Sequence, residues 1–171
     1  SFRVGRRAHI RHSSRKEHEG YTLLRGMHDG YTRLQSGMLH ERAMLLCPGL
    51  LLIADWLHGH GQHRYRSLLH FHPEVSISPT GSQEFTAGRG DDAVHIRVEG
   101  EGNMQHIKSD YYPAFGERQH RPSLVWEGER SFPAVHITSM VFGVDVPEFR
   151  YDDSGFHVEG FGAVHSILHK Q

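Results

Sequence analysis

The sequence predicts an all-β fold, specifically an antiparallel β-sandwich. Apolar and polar residues alternate with a period of two, no stretch keeps a helical period of 3.6, and the 19 glycines are spread along the chain at sites typical of turns. Many short strands separated by turns are typical of sandwiches and barrels. The chain has 171 residues and neither a repeat nor a linker, so we expect one domain over residues 1–171.

The first predicted strand is FRVGRRAHIRH, residues 2–12. Its apolar side chains fall on one face and its basic side chains on the other, which predicts a half-buried strand with a basic outer face. The inward positions are Phe2, Val4, Ala8 and Ile10, and the outward ones include Arg3, Arg7 and Arg11. Ser13 and Ser14 are predicted to lie in the turn that follows.

Two deeply buried strands, 44–47 and 50–57, are joined through Pro48 and Gly49, which predicts a tight hairpin. The glycines of LHGHGQH predict a second, Gly-rich hairpin tip within residues 51–65. A later strand alternates again, with Val94, Ile96 and Val98 predicted to point inward. The other predicted strands are 63–72, 83–87, 123–127, 133–142, 156–159 and 163–168.

Charge and hydropathy limit the partners. The 19 basic and 20 acidic residues nearly balance, which argues against nucleic acid. No apolar stretch reaches the ~18 residues of a membrane span, so no membrane insertion is expected. Sixteen of the basic residues are arginines, whose planar guanidinium suits carboxylate or sulfate groups. The single Cys47 excludes an internal disulfide.

The 17 histidines raise the question of a metal site. His58, His60 and His63 are close in sequence, but the glycines between them would not fix ligand geometry. His70 and His72 form a better pair, because residues i and i+2 of a strand point to one face and can bind one ion. No third ligand is identifiable, and an ordinary strand ending explains the same pair. A metal-dependent enzyme built on the histidines is therefore a third-ranked hypothesis.

Nucleophilic catalysis has no support in the sequence. Cys47 lies in an apolar strand, no G-x-S-x-G elbow occurs, and the glycines near residue 88 lack the spacing of a phosphate-binding loop. We therefore predict no catalytic residue in this chain.

The segment HDGYTRL, residues 28–34, is the predicted substrate-binding site. His28, Asp29 and Tyr31 combine a titratable ring, a carboxylate and an aromatic face on a glycine-containing turn. Arg33 follows two residues after Tyr31, on the same side of the strand expected to emerge there. Tyr31 would stack on a sugar ring and Arg33 would pair with its carboxylate. The alternative is that Asp29 closes an Asx-type turn and Tyr31 packs on the sheet.

Several segments together resemble a known family. HDGYTRL is followed by an arginine-bearing strand, by LLIADWLHGHGQHRY at 51–65 and by HFHPEV at 70–75; SDYYPAFGER and SFPAVHITSMVF come later. This order, over more than a hundred residues, resembles the C-terminal β-sandwich of the heparinase II/III and alginate lyase superfamily. The resemblance covers most of the chain.

The resemblance implies that the sandwich and an N-terminal (α/α) toroid of the same protein enclose a cleft, where an anionic polysaccharide undergoes β-elimination. In that family the sandwich supplies a catalytic His and metal ligands from an H-x-H-x-D strand. That motif does not occur in this sequence. The resemblance therefore implies a divalent metal, zinc or calcium, in a full-length enzyme and no cofactor in this chain. It also implies a periplasmic or extracellular location.

The predicted function is the β-sandwich portion of a heparinase II/III-like polysaccharide lyase, acting on uronic-acid-containing polysaccharides and not catalytic alone. The alternative is a free-standing carbohydrate-binding or scaffold sandwich used in polysaccharide assembly or export. The chain starts at Ser1 inside a predicted strand, which indicates an internal cut in a longer protein. A toroid encoded before Ser1 would decide between the two hypotheses.

Overall fold

Alternating side chains and closely spaced turns give strands throughout a computed structural model, which describes residues 7–34, 37–142, 148–152, 155–158 and 163–165. No helix occurs in these ranges, so the all-β prediction is confirmed. The strands are β1 Ile10–His18, β2 Tyr21–His28, β3 Leu39–Cys47, β4 Leu50–His70, β5 Ser76–Pro79, β6 Glu84–Arg89, β7 Asp92–Glu99, β8 Asn103–Tyr111, β9 Gln119–Phe142, β10 Phe149–Asp152, β11 Gly155–Val158 and β12 Ala163–His165. None of the described segments is a helix long and apolar enough to cross a membrane.

The first nine strands form one antiparallel sheet in the order β1-β2-β3-β4-β9-β7-β6-β5. Strand β8 also pairs with β9. It pairs with residues 119–127 of β9, whereas β7 pairs with residues 137–142. Strands β10, β11 and β12 form a second antiparallel sheet.

Strands β4 and β9 are unusually long, at 21 and 24 residues, and pair along both of their halves. The first half of β4 lies between β3 and the second half of β9, while the second half of β4 pairs with the first half of β9. Side chains of β6 and β7 pack with those of β8 and the first half of β9 in one cluster. The two parts of the sheet therefore face each other as the layers of a sandwich.

Two hydrophobic cores result. The first lies on β3 and the first half of β4, contains Leu45, Leu52 and Trp56, and is packed by Phe149 and Val158 of the second sheet. The second lies between the layers and contains Ile96, Leu124 and Trp126. Both cores use side chains from β9, because its alternate residues point to opposite faces.

The predictions for two central segments are confirmed. Cys47 pairs with Leu50 across the turn at Pro48 and Gly49, where Gly49 has a φ of 74° that an L-residue rarely adopts. In β7, Ile96 and Val98 are buried and Val94 is half-buried, as the alternation predicts.

The prediction for the first strand is wrong in its position. Residues 7–9 are not in a strand, and β1 instead runs through Ser13 and Ser14, which were predicted to form a turn. Ile10 is 77% exposed although the alternation predicts it to be buried. As an edge strand, β1 is polar on both faces, so the period of two is absent from it. Arg7 and Arg11 are exposed as expected, and Arg3 lies outside the described residues.

The Gly-rich hairpin predicted within residues 51–65 is also wrong, because LHGHGQH lies inside the continuous strand β4. The irregularity that the glycines indicate is a register shift between Leu57 and Gly61, where β4 passes β9, and Gly61 has a φ of 84°. Likewise, the predicted strands 123–127 and 133–142 are parts of the single strand β9.

Candidate ligand-binding cleft

A cleft of ≈ 440 Å³ opens where the second half of β4 faces the first half of β3 and β4. Its floor is formed by four polar residues, of which two are buried, one is half-buried and Arg42 is exposed, and its rim is formed by exposed residues. The floor consists of His40, Arg42, Asp55 and His136, and the rim includes Tyr31, Leu34, Arg64 and Arg66. The sheet register places the floor residues together, since Arg42 pairs with Asp55 and Asp55 with His136 across the strands.

The carboxylate of Asp55 lies at the centre of the floor and is 2% exposed. Arg42 donates to it in bidentate fashion, from Nε to Oδ1 at 2.7 Å and from one terminal nitrogen to Oδ2 at 2.9 Å. Nε2 of His40 lies 2.6 Å from Oδ1. Burial alone would raise the pKa of Asp55, but His136, His40 and Arg42 outweigh burial and hold that pKa well below its ordinary value.

His136 contributes the second side of the floor. Its side chain is buried against Trp126, with ring centroids 4.5 Å apart. Nε2 of His136 is 3.2 Å from Oδ2 of Asp55, but its alignment is not that of a hydrogen bond. Neither ring nitrogen has a hydrogen-bond partner among the described residues. The His136 ring therefore lies beside the Asp55 carboxylate at the floor without a directed bond to it.

His28 connects the predicted turn with this floor. Its Nδ1 accepts a hydrogen bond from the backbone N–H of Gly30 at 3.1 Å, and its Nε2 lies 3.1 Å from Nδ1 of His40. Burial lowers the pKa of His28, nearby His40 and Arg42 lower it further, and Asp29 opposes them. His28 thus contacts the floor residue His40 but does not itself line the cleft.

Asp29 is buried and has a structural environment. Its Oδ1 accepts from the backbone N–H of His9 at 2.7 Å, and Arg11 lies 2.8 Å from Oδ2. The bond from His9 is the largest cause lowering the pKa of Asp29. The Asp29 side chain therefore binds His9, just before β1, and Arg11, near the start of β1. It does not close an Asx-type turn.

Tyr31 lines the cleft at its rim and is 41% exposed. Its ring centroid lies 5.5 Å from that of His28 and 6.3 Å from that of His40. Arg33 is exposed and is not among the cleft residues. Residues 31–34 form turns with bonds from Thr32 N–H to Asp29 and from Leu34 N–H to Tyr31, so the strand expected to emerge here is absent.

The opposite rim is basic. Arg64 and Arg66 both pair with Glu127, with Arg64 3.1 Å from one carboxylate oxygen and Nε of Arg66 2.5 Å from the other. These two bonds lower the pKa of Glu127. On the floor, Arg42 binds Asp55 through Nε and one terminal nitrogen, and its Nη1 group makes no hydrogen bond to the described residues. Three guanidinium groups and the Tyr31 ring thus surround one cleft.

The histidines expected to bind metal lie elsewhere. Strand β4 ends at His70, so His72 does not share a strand face with it; His70 Nδ1 bonds Ser123 Oγ at 2.8 Å, and His72 Nδ1 lies 3.6 Å from Glu74. In the other cluster, His58 bonds the buried Glu41 at 3.0 Å. In the part of the chain that the structure describes, no group of three or more His, Cys, Asp and Glu side chains is arranged to hold a metal ion. The described residues therefore do not fit a bound metal ion.

Comparisons with known proteins agree with the architecture. The family model described as "Heparinase II/III-like, C-terminal" matches residues 1–151. A heparan sulfate lyase, HepC, from Pedobacter heparinus is similar in structure, with a TM-score of 0.66 and 14% identity over 84% of this chain and 24% of its own.

A solved heparinase III gives a TM-score of 0.68 and 15% identity over 90% of this chain and 26% of its own. The chain thus spans about a quarter of these proteins. A search of curated proteins finds no match. Because the family model matches most of the sequence, the chain belongs to the heparinase II/III-like C-terminal family.

Proposed function

We propose that this chain is the β-sandwich portion of a heparinase II/III-like polysaccharide lyase and that its cleft contacts an acidic polysaccharide. The observation that carries the proposal is the cleft itself, in which Arg42, Arg64 and Arg66 face a space rimmed by Tyr31. Guanidinium groups recognise carboxylate and sulfate, and an aromatic ring can stack on a sugar. The similar lyases named above support the choice of uronic-acid polymers.

Catalysis by this chain alone is not part of the proposal. The sequence lacks the H-x-H-x-D motif that the family uses for its catalytic His and metal ligands. The buried Asp55 and its partners cannot replace a free base, because all of its hydrogen bonds hold it in the ionised, paired form. We infer that the proton at C5 of the uronic acid is removed by groups of an N-terminal toroid in the same protein.

Binding of heparin-derived oligosaccharides to the purified chain tests the ligand, for example by isothermal titration calorimetry. We expect Tyr31→Ala and Arg66→Gln each to weaken binding by about 1 kcal/mol, the cost of one good contact. Arg118→Gln is the matched control, because Arg118 is an exposed arginine paired with a carboxylate, Asp110, outside the cleft. Equal losses in all three variants would indicate a nonspecific charge effect and contradict the proposal.

Activity is tested separately by following the absorbance of unsaturated uronate on adding the chain to heparan sulfate or alginate. We expect no increase with this chain alone and an increase when a separately produced toroid domain is added. An increase with the chain alone would show that it carries its own base, and the division of roles proposed above would then be wrong.

A further inference from the structure

A line of hydrogen bonds connects the turn at residues 29–34 with the floor of the cleft. It begins at the backbone N–H of Gly30, passes through His28 and His40, and ends at Oδ1 of Asp55. The three distances along it are 3.1, 3.1 and 2.6 Å. Two imidazoles in series therefore stand between a buried carboxylate and the turn that carries Tyr31.

The two ends of this line fix where each proton lies. Asp55 is ionised and can only accept, so Nε2 of His40 must carry a hydrogen. The Gly30 N–H can only donate, so Nδ1 of His28 must carry none. With both rings neutral, Nε2–H of His28 then donates to Nδ1 of His40, and every bond contains one proton. No other arrangement of neutral rings satisfies all three bonds.

A further proton necessarily breaks the line. On Nδ1 of His28 it would face the Gly30 N–H, and on Nδ1 of His40 it would face the Nε2–H of His28. Either case places two donors opposite each other. The turn has little room to adjust, because even a Cβ on Gly30 would lie 3.1 Å from Nδ1 of His28 and 3.1 Å from Cβ of Ala8.

The surroundings of His28 together favour its neutral form. Arg42 and His40 face it from β3, and Asp55 lies behind His40 on β4. On the other side Asp29 would favour a charged ring, but Asp29 is already paired with Arg11 of β1 and with His9 before it. Burial is the largest effect and disfavours the charged ring, so the net result is a lowered pKa of His28.

We propose that His28 and His40 form a proton-sensitive latch, which holds the turn at residues 29–34 and Tyr31 at the rim of the cleft and releases them when the His28 ring takes up a proton. The histidines are positioning residues in this role, because neither one needs to touch the ligand. The consequence for polysaccharide binding rests on the proposed function, whereas the latch itself does not.

Nuclear magnetic resonance of the labelled chain tests the latch without a ligand. At about pH 8 the ring nitrogens of His28 and His40 should both show the Nε2–H tautomer. On titration to about pH 4.5, the Gly30 amide and the Tyr31 ring should shift with the same midpoint as His28, below that of an unperturbed histidine. The other tautomer at either ring, or a Gly30 amide that does not follow His28, would overturn the proposal.

His28→Asn separates titration from structure. The Asn carbonyl oxygen can replace Nδ1 as the acceptor for Gly30 but cannot take up a proton in this range, so the transition at Gly30 and Tyr31 should disappear. His106→Gln is the control, since His106 is an exposed histidine on β8 outside the cleft, and it should leave the transition unchanged. Persistence of the transition in His28→Asn would show that another group causes it.

Oligosaccharide binding at about pH 7.5 and about pH 5 then measures the consequence. The histidines other than His28 are the same in both proteins, so comparing the two proteins at each pH isolates the contribution of His28. Relative to His28→Asn, the unmodified chain should therefore bind at least about fivefold more weakly at the lower pH, equivalent to one lost hydrogen bond. Absence of binding at both pH values would reject the proposed function and leave the resonance result to decide on the latch. Equal ratios would overturn the link between latch and binding.

Discussion

Asp55 is the residue on which the cleft depends most. It interrupts the apolar run LLLIADWL, and a carboxylate buried there is stable only because Arg42 and His40 from β3 bind it and His136 from β9 lies beside it. The same pairing fixes the orientation of the Arg42 guanidinium, whose Nη1 remains available to a ligand. The Asp55 carboxylate thus joins side chains of β3, β4 and β9 and also positions the Arg42 guanidinium in the cleft.

We predict that Asp55→Asn lowers the free energy of unfolding by about 1–3 kcal/mol, because the neutral amide cannot make all the hydrogen bonds that Arg42 and His40 donate to the buried carboxylate. Urea denaturation followed by circular dichroism measures the change. Asp92→Asn is the control, since Asp92 is exposed at the start of β7, and it should change stability by less than about 0.5 kcal/mol. Equal stability of the two variants would show that the ion pair is energetically neutral.

The sequence identified part of this site. Tyr31 was predicted to bind substrate and does line the cleft, because a glycine-containing turn with an aromatic residue is a local pattern. Arg42, Asp55 and His136 were not predicted, since they come together only through the register of β3, β4 and β9. The one indication in the sequence was Asp55, a carboxylate inside an apolar run. A buried carboxylate requires a partner, but the sequence alone does not identify which residue that partner is.

At the scale of the strands, the sequence located buried segments better than it located their ends. Alternation correctly described β7, where one face is buried and the other is wet. It failed for β1, whose two faces are both polar, and for β4 and β9, where the glycines of LHGHGQH and the residues between 127 and 133 were predicted to interrupt the strand. In the structure the pairing of β4 with β9 continues past these residues through one register shift, which is a property of two distant segments together.

Gly128 of β9 shows how close the packing along these strands is. A Cβ at this position would lie 2.5 Å from the hydroxyl of Tyr65 and 2.8 Å from the backbone carbonyl oxygen of Glu101, and the hydroxyl donates a 2.6 Å hydrogen bond to that oxygen. We predict that Gly128→Ala destabilises the chain by about 1–3 kcal/mol, the usual cost of overpacking. Thermal unfolding measures this change.

Gly26→Ala is the matched control for that substitution. Gly26 also lies inside a strand, but a Cβ there would meet only a backbone oxygen at 3.9 Å, an ordinary contact. The control should therefore be neutral or slightly stabilising, since alanine has less conformational entropy to lose on folding than glycine. A loss of similar size in both variants would show that the cost does not come from the close approach to Tyr65 and Glu101.

At the scale of the whole molecule, the two hydrophobic cores share their longest strands. Strand β4 contributes Leu52 to the first core and Leu69 to the periphery of the second, and β9 contributes Ile137 to the first and Leu124 to the second. A strand cannot unpair in one half without losing its register in the other half. The cores should therefore unfold together although they lie on different parts of the sheet.

The two tryptophans allow this cooperativity to be measured, because Trp56 is buried in the first core and Trp126 in the second. We predict that Trp126→Phe and Trp56→Phe, which each keep one fluorescent reporter, show single urea transitions that coincide with circular dichroism. Adding Leu52→Ala in the first core should lower stability by about 2–5 kcal/mol in both backgrounds, while Leu46→Ala, at a 55% exposed site, should have little effect. If Leu52→Ala shifted only the Trp56 signal, the cores would be separate folding units, and the two long strands would join them without coupling them.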